Sequence, residues 1–113
     1  MIISFSVFKE KILDGTKTQT IRRYSEFQYK RFCNAKKYQL YWGNPRNGGK
    51  LIKEVEPAEQ PRIFSFRDAT LGAIEELSLL GGFDDANEML DWFYKRYGKD
   101  MFTKKFMILR WKP

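Results

Sequence analysis

The chain has 113 residues, 42% of them hydrophobic and 17% aromatic, enough for one domain spanning 1–113 that buries a core without disulfide or metal staples. Lys and Arg number 21 against 14 acids, for a formal charge of +7, which bears on partners and solubility rather than on fold. There is no histidine and a single cysteine, Cys33; this excludes histidine-based triads, His-ligated zinc, an intramolecular disulfide and Cys clusters, and no metal or cofactor is expected.

In chain order, Ile2–Phe5 is short, apolar and partly β-branched, and reads as a strand. Ser6 is placed to cap a helix from about Val7, with Phe8 and Ile12 on one face and Gly15 as its stop. Thr18–Arg22 is β-prone. Tyr24–Lys37 is polar, basic and aperiodic, and reads as a surface loop or short helix. Tyr38–Trp42 is a strand, Gly43–Gly49 a dense run of turn residues, and Leu51–Val55 the returning strand of an antiparallel hairpin.

Pro57 and Pro61 mark an irregular crossing before a strand at Arg62–Phe66. Asp68 or Thr70 opens a second helix with Leu71, Ile74 and Leu77 at helical spacing, stopped by Gly81-Gly82. Asp85-Ala86-Asn87-Glu88 is a capping box for a third helix, along which Met89, Phe93 and Tyr97, or Trp92 and Arg96, align. Lys104–Trp111 is the last strand, with Phe106, Ile108 and Arg110 on one face and Met107, Leu109 and Trp111 on the other. About five strands and three helices, without strict βαβ alternation, give an α+β chain with a small mixed or antiparallel barrel. No apolar run approaches the roughly 18 residues of a membrane span. Met1–Phe5 lacks the basic start and long apolar stretch of a signal peptide, so a cytoplasmic protein without membrane contact is expected.

Charge is unevenly spread. Thr16–Lys53 holds ten basic residues against Glu26 alone, a charge of +9, whereas Asp68–Asp91 holds seven acids and no base, a charge of −7. The basic stretch interleaves rings, among them Tyr24, Phe27, Tyr41 and Trp42, with cations that include Arg22, Arg23, Lys36, Lys37 and Arg46. Cations neutralise phosphates and flat rings stack on unpaired bases; the simpler alternative is that several rings are core. The acidic stretch is a solvated face or a docking face for a basic protein. Trp92, Phe93 and Trp111 are expected in the core.

The segment Ile12–Arg23 combines a helix stopped at Gly15, Lys17 directly after it, and alternating threonines leading into Arg22 and Arg23. In a strand Thr18, Thr20 and Arg22 share one face and Lys17, Gln19 and Ile21 the other, although Lys17 at the turn is free to swing toward Thr20. A threonine hydroxyl is a weak nucleophile, and a lysine with a lowered pKa can take its proton.

This helix, Gly15-x-Lys17-x-x-Thr20-x-Arg22 and strand arrangement resembles the signature of the ASCH domains, small barrels related to the RNA-binding PUA domains. The opening strand and helix, Tyr38–Trp42, Gly82-Phe83 and the closing strand follow that pattern as well. The resemblance implies a PUA-like barrel of about five strands, with a groove that takes RNA or a nucleoside. Nucleic-acid contacts are then expected from Lys17, Thr20, Arg22, Arg23, Lys36, Lys37, Tyr41 and Arg46. Some bacterial members are amidohydrolases that deacetylate 4-acetylcytidine through a lysine, a threonine and a glutamate. Here Lys17 and Thr20 match the first two, but the glutamate's place falls on Gly81 or Gly82, with Glu75, Glu76 and Asp84 nearby. The expected function is therefore RNA or nucleotide binding, with amidohydrolysis of an acylated nucleoside as the alternative.

Overall fold

The computed structural model describes residues 1–113. Its elements in order are β1 (Ile2–Phe5), α1 (Lys9–Leu13), β2 (Gln19–Arg23), α2 (Glu26–Asn34), β3 (Tyr38–Trp42), β4 (Lys50–Val55), β5 (Arg62–Phe64), α3 (Leu71–Leu80), α4 (Ala86–Tyr97) and β6 (Phe106–Arg110). Short 3₁₀ turns follow β3, β5 and α4. The chain is an α+β fold of six strands and four α-helices; each strand falls on a segment read as β-prone, so the expected total of about five is one short, and α2 is the one element not specified.

The strands form two three-stranded sheets, ordered β1-β3-β4 and β2-β6-β5. β1 runs parallel to β3, with Ile2 beside Gln39 and Phe5 beside Trp42; every other pairing is antiparallel. At one edge the sheets meet through the chain after β4, where Pro57 bridges Trp111 and the Ala58 amide donates to the Arg110 carbonyl at 3.0 Å. At the other edge no ladder joins β1 to β2. Arg22 alone crosses that gap, donating from Nη2 to the Ser4 carbonyl at 2.7 Å. The six strands therefore do not close into a barrel.

β6 organises the interior. Its period-2 alternation sends Met107, Leu109 and Trp111 into one core with Ile3, Phe32, Tyr38 and Leu40, and Phe106 and Ile108 into a second with Phe66, Leu77, Met89 and Phe93. Four consecutive residues, Phe106–Leu109, are buried, because the strand is covered on both faces. β1, β3, β4, α1 and α2 supply the rest of the first core, and β2, α3 and α4 much of the second.

Several boundaries differ from the sequence reading. Ser6 caps nothing: α1 starts at Lys9 behind Phe8, which stands at φ 65 in the left-handed region without a side-chain cap. Tyr24–Lys37 contains a nine-residue helix, α2, whose N-cap Ser25 accepts from the Gln28 amide. Only Phe32 of that helix is buried, so it has no apolar stripe to betray it. Phe66 lies beyond β5 in a 3₁₀ turn, and Leu71 is 67% exposed although it shares the spacing of Ile74 and Leu77. α3 and α4 begin where their caps indicate: Thr70 accepts from the Ala73 amide and Asp85 from the Glu88 amide.

Candidate functional site

Where β1 and β2 diverge, a cavity of about 350 Å³ opens, lined from the ends of β1, β2, the β3–β4 turn, α3 and α4. Lys17 reaches it from the turn before β2. Gly15, at φ 85, reverses the chain after α1, and the Thr18 amide donates to the Leu80 carbonyl at 3.0 Å, fastening the start of β2 to the end of α3. The Lys17 side chain is 4% exposed. Its Nζ donates to the Gln19 carbonyl at 2.7 Å and to the Gly81 carbonyl at 2.5 Å, between the rings of Phe5 and Phe8. No carboxylate accompanies it. Burial, with smaller contributions from Arg22 and Lys11, pushes the Lys17 amine down from 10.5 to about 7.

Thr20 and Arg22 face the cavity together, as the alternation of β2 requires. Thr20 Oγ1 accepts from Arg22 Nε at 3.1 Å, and the Arg22 guanidinium lies 4.8 Å from the centre of the Phe5 ring. Burial and then Arg96 lower Arg22 to about 10. Lys17 and Thr20 line one cavity without sharing a hydrogen bond: the amine is turned to two carbonyls and the hydroxyl to a guanidinium. Behind them Gln19, fully buried, donates to the Leu77 carbonyl at 3.0 Å and accepts from Arg110 Nε at 2.7 Å, so its amide is spent on structure.

The two glycines have their own reason. Gly81 supplies a carbonyl to Lys17, and Gly82, at φ 93, is where the Lys17 stem passes. A Cβ at Gly82 would stand 3.3 Å from Lys17 Cδ and 3.4 Å from Phe8 Cγ. The neighbouring acids are engaged elsewhere or open to solvent. Asp84 pairs with Lys11 at 3.5 Å, Glu76 with Arg110 at 3.8 Å, and Glu75 is exposed. None of the 20 residues lining the cavity is a carboxylate.

The remaining walls are aromatic. Phe8 packs edge-on to Phe83 at 5.0 Å and Phe83 to Trp92 at 6.2 Å, while Phe93 and Tyr97 extend the lining along α4. Arg96, one helical turn after Trp92, holds its guanidinium 5.3 Å from the centre of that ring. Phe93 and Trp111 are core residues, and Trp92 is only half-buried at the cavity wall.

Of the residues expected to contact nucleic acid, the cavity gathers Lys17, Thr20 and Arg22. Arg23 ends β2, exposed and unpaired. Tyr41 is paired with Ser4 and Leu51 in the sheet and does not line the cavity. Arg46 sits exposed in the β3–β4 turn, two residues beyond the lining residue Asn44. Lys36 and Lys37 stand at the Gln39 end of β3, ~13 Å from its cavity end at ~3.3 Å per residue, and Lys37 pairs with Glu54 at 3.3 Å.

Phe5, Phe8 and Arg96 are the contributors that sequence reasoning did not assign to a site. The four-residue step from Trp92 to Arg96 is a visible sign of a shared helix face, but only the fold turns that face to β2.

No group of three or more potential metal ligands comes together, and no helix is long and apolar enough to cross a membrane. No protein-family model matches the chain, and no curated protein or solved structure is significantly similar to it.

Proposed function

We propose that this protein is an RNA- or nucleotide-binding module of the cytoplasm, with the cavity around Lys17, Thr20 and Arg22 as its binding site. The observation that carries this reading is the composition of the lining: two arginines, Arg22 and Arg96, one lysine, Lys17, several aromatic rings and no acid. Such a surface attracts anions and repels none, and its rings offer stacking faces for a base. The volume, at the small end of ligand pockets, suits one nucleotide unit and not a duplex. The ASCH resemblance agrees with this reading, and under it the two sheets are the halves of an open PUA-like barrel.

The test is fluorescence anisotropy with a short labelled single-stranded RNA. Arg22→Ala is expected to weaken binding about tenfold. Lys95→Ala, which removes an exposed partner of Asp91 outside the cavity, is expected to leave binding unchanged. Equal affinities for both variants, or no binding by folded wild-type protein, would overturn the reading.

One observation favours a second reading, the amidohydrolase. An amine near 7 beside a threonine is half-neutral at physiological pH and able to act as a base. Thr20 Oγ would attack the acetyl carbonyl of 4-acetylcytidine while its proton passes to Lys17 Nζ. That proton would then leave with the cytidine amine, and water would hydrolyse the acetyl-threonine ester. Lys17 Nζ shares no hydrogen bond with Thr20, and no carboxylate is at hand to assist. Cytidine release that both Thr20→Ala and Lys17→Ala abolish would establish this activity; no release from folded protein would reject it for this substrate.

A further inference from the structure

Arg22 and Arg96 enter the cavity from different elements, β2 and α4, and neither forms an ion pair with any carboxylate. The nearby Lys11 is already committed, bonded to the Gly82 carbonyl and to Asp84. Lys17 has given two of its N–H groups to backbone carbonyls. Arg22 is held rather than satisfied. Nε rests on Thr20 Oγ1, Nη2 on the Ser4 carbonyl and one flat face on Phe5, which leaves the Nη1 side of the fork without a partner. Arg96 makes no hydrogen bond to the protein and only lies against Trp92.

The two guanidiniums feel each other, since Arg96 is the largest charged influence lowering Arg22. Like charges at the edge of an apolar cavity repel unless an anion lies between them. Arginine forks fit phosphate oxygens in shape and charge.

We propose that Arg22 and Arg96 form the seat of a phosphate, so that the cavity takes its nucleotide by the phosphate, with the base against Phe8, Phe83 and Trp92. This rests on the nucleotide reading and sharpens it, because the phosphate rather than the base or sugar then sets affinity. The phosphate belongs either to a free nucleotide or to the end of an RNA strand.

Trp92 in the wall is a built-in reporter, so intrinsic fluorescence can follow titration with each ribonucleoside, its 5′-monophosphate and inorganic phosphate. The monophosphate is expected to bind at least tenfold tighter than its nucleoside. Arg96→Ala is expected to erase that difference, so that nucleoside and monophosphate bind the variant within about twofold of each other, and Arg96→Lys to restore part of it. Arg96 is exposed on the last turn of α4, so an unchanged melting temperature shows that the variant is folded.

Equal binding of nucleoside and monophosphate, indifferent to Arg96→Ala, would overturn the phosphate seat and leave the nucleotide reading standing. Inorganic phosphate, nucleoside and monophosphate all failing to bind would overturn both. Short RNAs with and without a 5′-phosphate separate the sources. Tighter binding of the phosphorylated strand supports a strand end, and tighter binding of the monophosphate than of either strand supports a free nucleotide.

Discussion

Lys17 concentrates the cost of this site. Lowering an amine from 10.5 to about 7 makes its protonation in the folded chain less favourable by about 5 kcal/mol. Between pH 7 and 10.5 the unfolded chain therefore holds a proton that the folded chain has released, and stability rises with pH. Below about pH 7 both states are protonated and the full penalty is present. Lys17→Met keeps the length of the side chain and removes the charge, at a pH-independent loss of the bonds to the Gln19 and Gly81 carbonyls. Urea unfolding from pH 7 to 9.5 should show wild type gaining about 1.4 kcal/mol per pH unit relative to Lys17→Met. A constant difference between the two proteins would mean that Lys17 titrates like an ordinary surface lysine. The part of the site that could be read in the sequence is this local part. Gly15, Lys17, Thr20 and Arg22 follow one another within eight positions, and a helix stop followed by strand alternation is enough to aim them together. Phe5, Phe8 and Arg96 could not be placed that way, because a ring in an amphipathic element looks the same whether it meets another ring or a cavity.

Elements differ in how much they announce themselves. β6 was legible to the face, since its alternation is what divides the two cores, and the starts of α3 and α4 were legible because their caps are short-range hydrogen bonds. α2 was hidden because its stabilisation comes from a cap and a single buried ring, Phe32, instead of a stripe. Phe8 defeats its own helix pattern: its backbone stands at φ 65, a conformation costing about 1 kcal/mol or more for an L-residue, and its ring packs on Phe83 and Lys17 instead of capping α1. The α4 cap offers a direct test of the account given to caps. Asp85 Oδ1 accepts from the Glu88 amide at 2.8 Å, and Asp85→Ala is expected to cost about 1 kcal/mol, read as a fall in melting temperature of about 4 °C. Asp84→Ala removes an equal charge one residue earlier. Its side chain is 80% exposed with one long contact to Lys11, so its melting temperature should stay within about 1 °C of wild type. Equal losses for the two variants would assign the effect to helix charge and not to the cap.

At the scale of the molecule, the two charged stretches fall on different sides of β6 apart from β2, its sheet neighbour. Most of the stretch of +9 builds α2, β3 and β4, against the first core, and only its β2 faces the second through Ile21, whereas the stretch of −7 builds α3 and the start of α4, against the second, with all seven of its acids exposed. On the proposed reading, a strand of RNA leaving the cavity would be drawn across the β1-β3-β4 side and turned away from the α3–α4 side. This separates two jobs that the sequence alone had merged into one surface. Lys17, Arg22 and Arg96 line the cavity, and on the proposed reading would touch its occupant; Arg46 and Lys36 do not line it, and would touch only what extends beyond it. Lys36→Ala should leave the affinity for a mononucleotide within about twofold, since ~13 Å of strand separates its end of β3 from the cavity and exceeds the ~8–10 Å Debye length of physiological salt. The same substitution should weaken a longer single strand. It should also reduce the steepness of log K against log salt, since each neutralised phosphate contributes a slope of about −0.7 on single strands. Anisotropy titrations from about 50 to 200 mM salt, with a mononucleotide and a longer RNA in parallel, read both quantities. If Lys36→Ala weakened both ligands alike, charge would be acting on the molecule as a whole and the path across this face would be wrong. If it weakened only the longer strand, the basic side would be a track that leads to the cavity.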